Sequence, residues 1–289
     1  MPVDLSVIIT CLNAEATFAG QLEALCRQQW DRRWEIVVAD NGSTDDTLRI
    51  IRRYRRRLPQ LRVVDASARR GCAAARNIGM QAARADCFAF CDVDDEIGHG
   101  WVAAMGEALL RHEFVACRVD DRRLNPPWVQ ALWPANPERQ EGVDICLGFL
   151  PSAPGCGFGL TRRLFERVGD FDETLPRLDD FDYSWRAQLA GARVHLVPDA
   201  VIYYRHRHSL RGTFRLCVAD GYSEVMLLRK FARQGMPWRP VRQALHDWVF
   251  TPLGLLRVRD RVSWGAWLKG VGVLAGRAHG SLEQRILAL

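Results

Sequence analysis

The side chains of this sequence best placed to do chemistry are carboxylates, and they fall in three groups. The segment FAFCDVDDE, residues 88–96, is an apolar run that breaks into Asp92, Asp94 and Asp95. A short buried strand ends where charge begins. These carboxylates therefore belong at the carboxyl end of a strand, where open α/β sheets bind their ligands. Crowded carboxylates repel one another and raise their own pKa values unless a cation or hydrogen-bond donors neutralise them. Hard oxygen ligands of this kind suit Mg²⁺ or Mn²⁺, which in turn suit a diphosphate. The second group is Asp40, which ends the apolar run of VVADNGSTDDT and could accept the N3–H of uracil or thymine. The third is Asp179-Asp180 in GDFDETLPRLDDFDYSWR, with Asp182 and Arg186 within two turns. Each group also has a plainer reading: an acidic turn, a loop organised by Asp40 and Ser43, and capping of a helix N-terminus. Arg76, in GCAAARNIGMQAA, could reach a diphosphate or be a solvated helix arginine.

The elements that must position these groups alternate clearly. Apolar runs predict strands over 5–10, 35–39, 61–65 and 88–91, separated by helices over 17–29, 48–54 and 72–83. Strands separated by helices in this way imply βαβ units and a parallel sheet covered on both faces. A helix over 101–111 and a strand over 114–119 follow. Residues 120–155, with Pro126-Pro127, Trp128, Trp133, Pro134 and Pro137, read as a substrate-covering loop with little regular structure. Residues 158–161 lead into a helix ending at Val168, and another helix spans 180–190. Short strands are expected over 193–197 and 200–204, and a helix over 211–234. The pattern changes near residue 210, dividing the chain into a catalytic domain, 1–210, and a helical C-terminal extension, 211–289.

The order of the motifs carries more information than any one of them. A strand ending in T-x-x-N, then VVADNGSTDDT, GCAAARNIG, FCDVDDE and finally GDFDE with LDDFDYSWR resembles the family 2 glycosyltransferases of the GT-A fold, over roughly residues 4–210. The resemblance implies an α/β architecture with a mostly parallel sheet and helices on both faces. It also implies transfer of a sugar from a nucleotide-diphosphate donor, UDP- or dTDP-linked, with inversion at the anomeric carbon. Carried over by position, Thr10, Asn13, Asp40, Arg76 and Asp92 would bind the donor. Asp94 and Asp92 would hold Mn²⁺ or Mg²⁺, with His206 of YYRHRHSLRG completing the metal or diphosphate site. Asp180 would be the catalytic base beside Asp179, and Gly157 would stand where the acceptor site begins, with Trp185 either a core residue or an acceptor platform. Three positions depart from the family pattern: Leu12 and Arg70 in the donor region, and Asp179 where a glutamate is usual.

Composition narrows the alternatives. Of 40 basic residues only Lys230 and Lys269 are lysines, and no nucleic-acid-binding motif accompanies the arginines. The net charge of +6 therefore points to anionic phosphates or a membrane surface rather than to nucleic acid. Nine cysteines without a C-x-x-C pair are expected to be buried, reduced thiols of a cytoplasmic protein. No stretch reaches the ~20 apolar residues of a spanning helix. A sugar-nucleotide nucleotidyltransferase would place a glycine-rich loop after the first strand, where this chain reads CLNAEATF. A non-catalytic nucleotide-sugar-binding protein would lose the carboxylates that this chain keeps. Trp248, Phe250, Leu253, Leu255, Leu256, Trp264 and Trp267, among arginines, fit an interfacial amphipathic segment. They equally fit a helical appendage or a dimer contact. A glycan, a lipid-linked molecule or a small molecule could each be the acceptor.

Overall fold

A computed structural model describes residues 3–134, 144–237 and 239–286. Its centre is an eight-stranded mixed sheet. β1 (Leu5–Cys11), α1 (Phe18–Cys26), β2 (Trp34–Asp40), α2 (Thr47–Tyr54), β3 (Leu61–Asp65), α3 (Cys72–Ala82) and β4 (Cys87–Cys91) form the alternating first half. These four strands are parallel, in the spatial order β3-β2-β1-β4. β1 and β2 are almost continuously apolar because both sheet faces are covered. Leu5, Val7 and Ile9 pack toward α1 residues Phe18 and Leu22 on one side. Ile8, Val37, Phe88 and Phe90 pack with α3 residues Ala73 and Met80 on the other. α3 lies close to the sheet through Gly79, where a side-chain carbon would strike Ile8.

The second half departs from the expected pattern in instructive ways. β5 (Glu96–Ile97), α4 (Trp101–Leu109) and β6 (Phe114–Asp120) are followed by α5 (Pro127–Leu132). A short helix thus stands where an irregular loop was expected, its proline at N1 where the missing N–H costs nothing. Asp144–Ile145 and Pro151–Ser152, β7 and β8, form a separate two-stranded sheet. Residues 135–143 of the expected loop lie outside the described residues. Gly157–Thr161 is not a helix lead-in but a strand, β9, inserted antiparallel between β4 and β6. α6 (Arg162–Val168) and α7 (Asp179–Leu189) follow. The two short strands expected next are one, β10 (His195–Tyr203), whose pairing with β6 shifts register between Val197 and Val201. β5 pairs antiparallel with β10 and closes the sheet edge, so the order continues β4-β9-β6-β10-β5.

From Leu210 the described regular structure is helical: α8 (Leu210–Phe231), α9 (Val241–Leu253) and α10 (Arg261–Gln284), with short 3₁₀ turns between them. The aromatic and leucine segment from Trp248 to Trp267 is therefore carried on two helices, broken before Asp260, whose side chain and that of Ser263 form a capping box. α10 lies along α8 with backbones in close approach, since a side-chain carbon at Gly276 would collide with the Val218 carbonyl and one at Gly221 with that of Val273.

Candidate active site

The ends of β1, β2 and β4 and the start of α3 meet along one edge of the sheet. The acidic loop after β4 is held on both sides by Gln21, fully buried on α1. Its amide donates to the Asp92 carbonyl (3.0 Å) and its carbonyl accepts from Ile97 N–H (2.9 Å). Asp92, Asp94 and Asp95 each offer an oxygen, all within 4.8 Å of one another. Arg205, following β10, caps the loop: its N–H donates to Asp95 Oδ1 (2.7 Å) and its side chain to the Asp94 carbonyl (2.9 Å). Burial and its carboxylate neighbours hold Asp95 well above the usual range. Burial also pushes Asp92 up to about 7, against the opposing pull of Arg76 and with the help of Asp94.

These residues fit a divalent cation. Three convergent hard oxygens are present, and Asp95 Oδ2 is buried with no hydrogen-bond partner among the described residues. The gathered trio differs from the expected one, since Asp95 joins Asp92 and Asp94 while His206 does not share their cluster. His206 lines the same cleft but stacks on Trp133 (4.9 Å between ring centres), and its N–H donates to Asn125 Oδ1 (2.9 Å).

Arg76 is no solvated helix arginine. It is 4% exposed, lying 5.6 Å from the rings of both Phe158 and Phe171. Nη1 donates to Asp179 Oδ2 (2.5 Å) and Nη2 to the Gly155 carbonyl (2.8 Å), with Asp92 Oδ1 at 3.7 Å from Nη2. Its guanidinium therefore ties β9's approach, α7 and the acidic loop together, at the wall of a cleft of about 400 Å³.

Asp179 and Asp180 open α7, where the helix dipole favours negative charge. Leu178 precedes them in a left-handed conformation (φ 60°), a strained position for a leucine that aims the helix start. Asp180 Oδ2 accepts from Gly155 N–H (2.8 Å). Burial and then Asp179 raise the Asp180 pKa above its ordinary value, while Arg76 and Arg177 oppose the rise. Gly155 gives this close approach room, since a side-chain carbon would lie 2.7 Å from Asp180 Oδ2 and displace it.

The remaining expected positions divide. Asp40 is buried at the end of β2 and both its oxygens accept from Ser43 N–H (3.3 Å). Thr10 Oγ1 lies 3.5 Å from Cys72 Sγ at the start of α3. Asn13, expected to meet the donor, spends its carbonyl on Thr44 N–H (2.8 Å) and so joins two loops. Two acceptor assignments need correction. Trp185 is 0% exposed, donates to the Leu150 carbonyl (2.8 Å) and packs among Phe149, Phe181 and Phe231, so it is core. Gly157 is buried in β9, where a side chain would strike Cys117, so its role is packing. Gly155 and Arg177 were missed as site residues, while Asp95, grouped with Asp92 and Asp94 as a strand-end carboxylate from the start, was left out only of the ligand set implied by the family resemblance.

A carboxylate cluster at strand ends, a buried arginine and a second carboxylate pair around one cleft define the class of GT-A-fold transferases. The solved structures agree on the fold. A mannosyltransferase from Pyrobaculum calidifontis, solved with GDP-Man and Mn²⁺, superposes with a TM-score of 0.67 at 20% identity, covering 98% of this chain and 88% of its own. S. aureus TarS 1–349 with UDP-GlcNAc gives 0.54 at 18% identity, covering 99% and 93%. The glycosyl transferase family 2 model matches residues 6–169, and the chain belongs to that family. The pre-mycofactocin glycosyltransferase of Mycobacterium tuberculosis is 29% identical over 198 residues, 64% of this chain and 41% of that protein. The Escherichia coli glycosyltransferase YibD is 38% identical over 93 residues, 32% and 26% respectively. The chain thus spans less than half the length of these two relatives.

Proposed function

We propose that this chain is an inverting glycosyltransferase, moving a sugar from a nucleotide-diphosphate donor to an acceptor hydroxyl in bacterial glycan, glycolipid or natural-product synthesis. The observation that carries the reading is the placement of Asp180 in the same cleft as Arg76 and the acidic loop. Asp180 is the general base: it takes the acceptor proton as the hydroxyl attacks, which requires approach to within about 3 Å. Desolvation raises its basicity above that of an ordinary carboxylate, which favours its taking up a proton. Asp179, tied to Arg76, keeps the start of α7 in place. Attack opposite the departing diphosphate inverts the anomeric centre and needs no covalent intermediate. A divalent ion held by Asp92, Asp94 and Asp95 would supply Lewis-acid stabilisation to the leaving diphosphate. Thr10 and Asp40, at the ends of adjacent strands, support a uracil or thymine nucleotide, so the donor we propose is UDP- or dTDP-linked.

No helix among the described residues is long and apolar enough to cross a membrane. An exposed apolar face on α9, with Arg242, Arg257 and Arg259 exposed nearby, supports peripheral contact with an anionic lipid surface at the cytoplasmic side. The test is incubation with radiolabelled sugar nucleotides and Mn²⁺, following slow donor hydrolysis in the wild type and in Asp180→Asn. Hydrolysis equal in both removes the base assignment. Hydrolysis absent with every UDP- and dTDP-sugar removes the donor assignment.

A further inference from the structure

We propose that an apolar cavity between α8 and α9 holds the hydrocarbon chain of an amphiphilic acceptor whose hydroxyl-bearing head lies in the catalytic cleft. The inference rests on the reading of that cleft given above and names the acceptor's chemical class. The cavity measures about 500 Å³, and its walls include Val225 and Leu228 of α8, Met236, and Val241 and Ala244 of α9. That volume is typical of small-molecule sites, roughly 300–1,000 Å³.

Three observations identify the occupant. Leu147 and Glu224 line both this cavity and the catalytic cleft, so the two lie side by side. Val241, on the cavity wall, is 67% exposed, and Leu245, Val249 and Leu253 continue the exposed stripe one turn apart along α9. The cavity therefore opens onto an unpartnered apolar surface, the geometry by which a chain enters from a lipid layer. The ionic groups at the wall are already paired, Arg277 Nε with Glu224 Oε2 (2.7 Å) and Arg239 Nη2 with Asp247 Oδ2 (2.6 Å). An ionic ligand is not called for, and a purely polar one would lose its hydrogen bonds against Val225, Leu228 and Met236.

The test titrates hexyl, octyl and decyl β-glucoside, below their micelle concentrations, into the full chain by calorimetry, with methyl β-glucoside as control. Each added pair of methylenes is expected to tighten binding about tenfold, following from ~0.8 kcal/mol per buried CH₂. Ala244→Phe, which fills the cavity from α9, should weaken decyl glucoside at least tenfold. Val241→Trp, at the exposed rim, should do the same and covers the case that Ala244→Phe does not fold. Affinity independent of chain length, or equal in wild type and a folded variant, overturns the proposal. So does a dimer, seen by sedimentation, that Val241→Trp dissociates, since a second copy would then be the occupant. Donor hydrolysis is measured separately on the same wild-type preparation. Chain-length dependence without hydrolysis would uphold the cavity assignment and overturn the catalytic reading alone.

Discussion

Replacing Arg76 by methionine tests the centre of the site. The pair with Asp179 is almost dry, the two side chains being 5% and 10% exposed. Methionine keeps the length and the packing between Phe158 and Phe171 but removes the charge and both donors. Asp179 is then left as a buried, uncompensated carboxylate, a loss worth roughly 3–5 kcal/mol. At ~2–4 °C per kcal/mol for a chain of this size, the melting temperature should fall by roughly 6–20 °C. Urea denaturation at pH 7.5 measures the loss directly. The double variant Arg76→Met/Asp179→Asn removes both charges, and a buried pair can often be exchanged for neutral groups at little cost. It should therefore be at least ~2 kcal/mol more stable than Arg76→Met alone. A cycle in which the two substitutions add to within ~0.5 kcal/mol would refute the pairing argument. The same variant carries a second signature. Because Arg76 opposes the rise of the Asp180 pKa, its loss should move the acid limb of donor hydrolysis to higher pH, and an unmoved limb would show that Arg76 does not act on Asp180.

Asp180→Asn should cost roughly 10²–10⁴-fold in transfer while leaving donor affinity intact. Its raised carboxyl pKa means that stability is lost as pH rises from the ordinary 3.8 through the folded value, so the amide should make the protein more stable at pH 7, as urea midpoints will show. Asp94→Ala should abolish Mn²⁺-dependent donor binding in equilibrium dialysis without lowering the urea midpoint, because the ion pair its carboxylate makes is with the exposed Arg207. Gly276→Ala should destabilise the chain by about 1–3 kcal/mol by forcing α10 away from α8, and an unchanged melting curve would contradict the close packing. Leu253→Asp with Leu256→Asp should abolish salt-sensitive flotation with anionic liposomes. Truncation is a poorer test of that contact, because it removes α10 from its packing on α8.

The sequence by itself determined the βαβ half of the fold and the identity of the acidic groups. Continuous apolar runs and helices with one apolar face are local signals, and a carboxylate cluster at a strand end is visible wherever the strand is. Only the tertiary structure decided how these pieces become a site. Arg76 and Asp179 are 103 positions apart, and nothing local distinguishes an arginine that will be buried against an aspartate from one left in water. Gly157–Thr161 reads as no strand, because two glycines weaken its pattern. It becomes one because β4 and β6 need a partner, and only residues without side chains clear Cys117 and Leu109. The same holds for Trp185, whose type suited a sugar-binding wall but whose ring fills the space among Phe149, Phe181 and Phe231. Local sequence encodes which groups can titrate, coordinate or cap. Which of them meet is set by long-range packing, where burial first makes a charge need its partner.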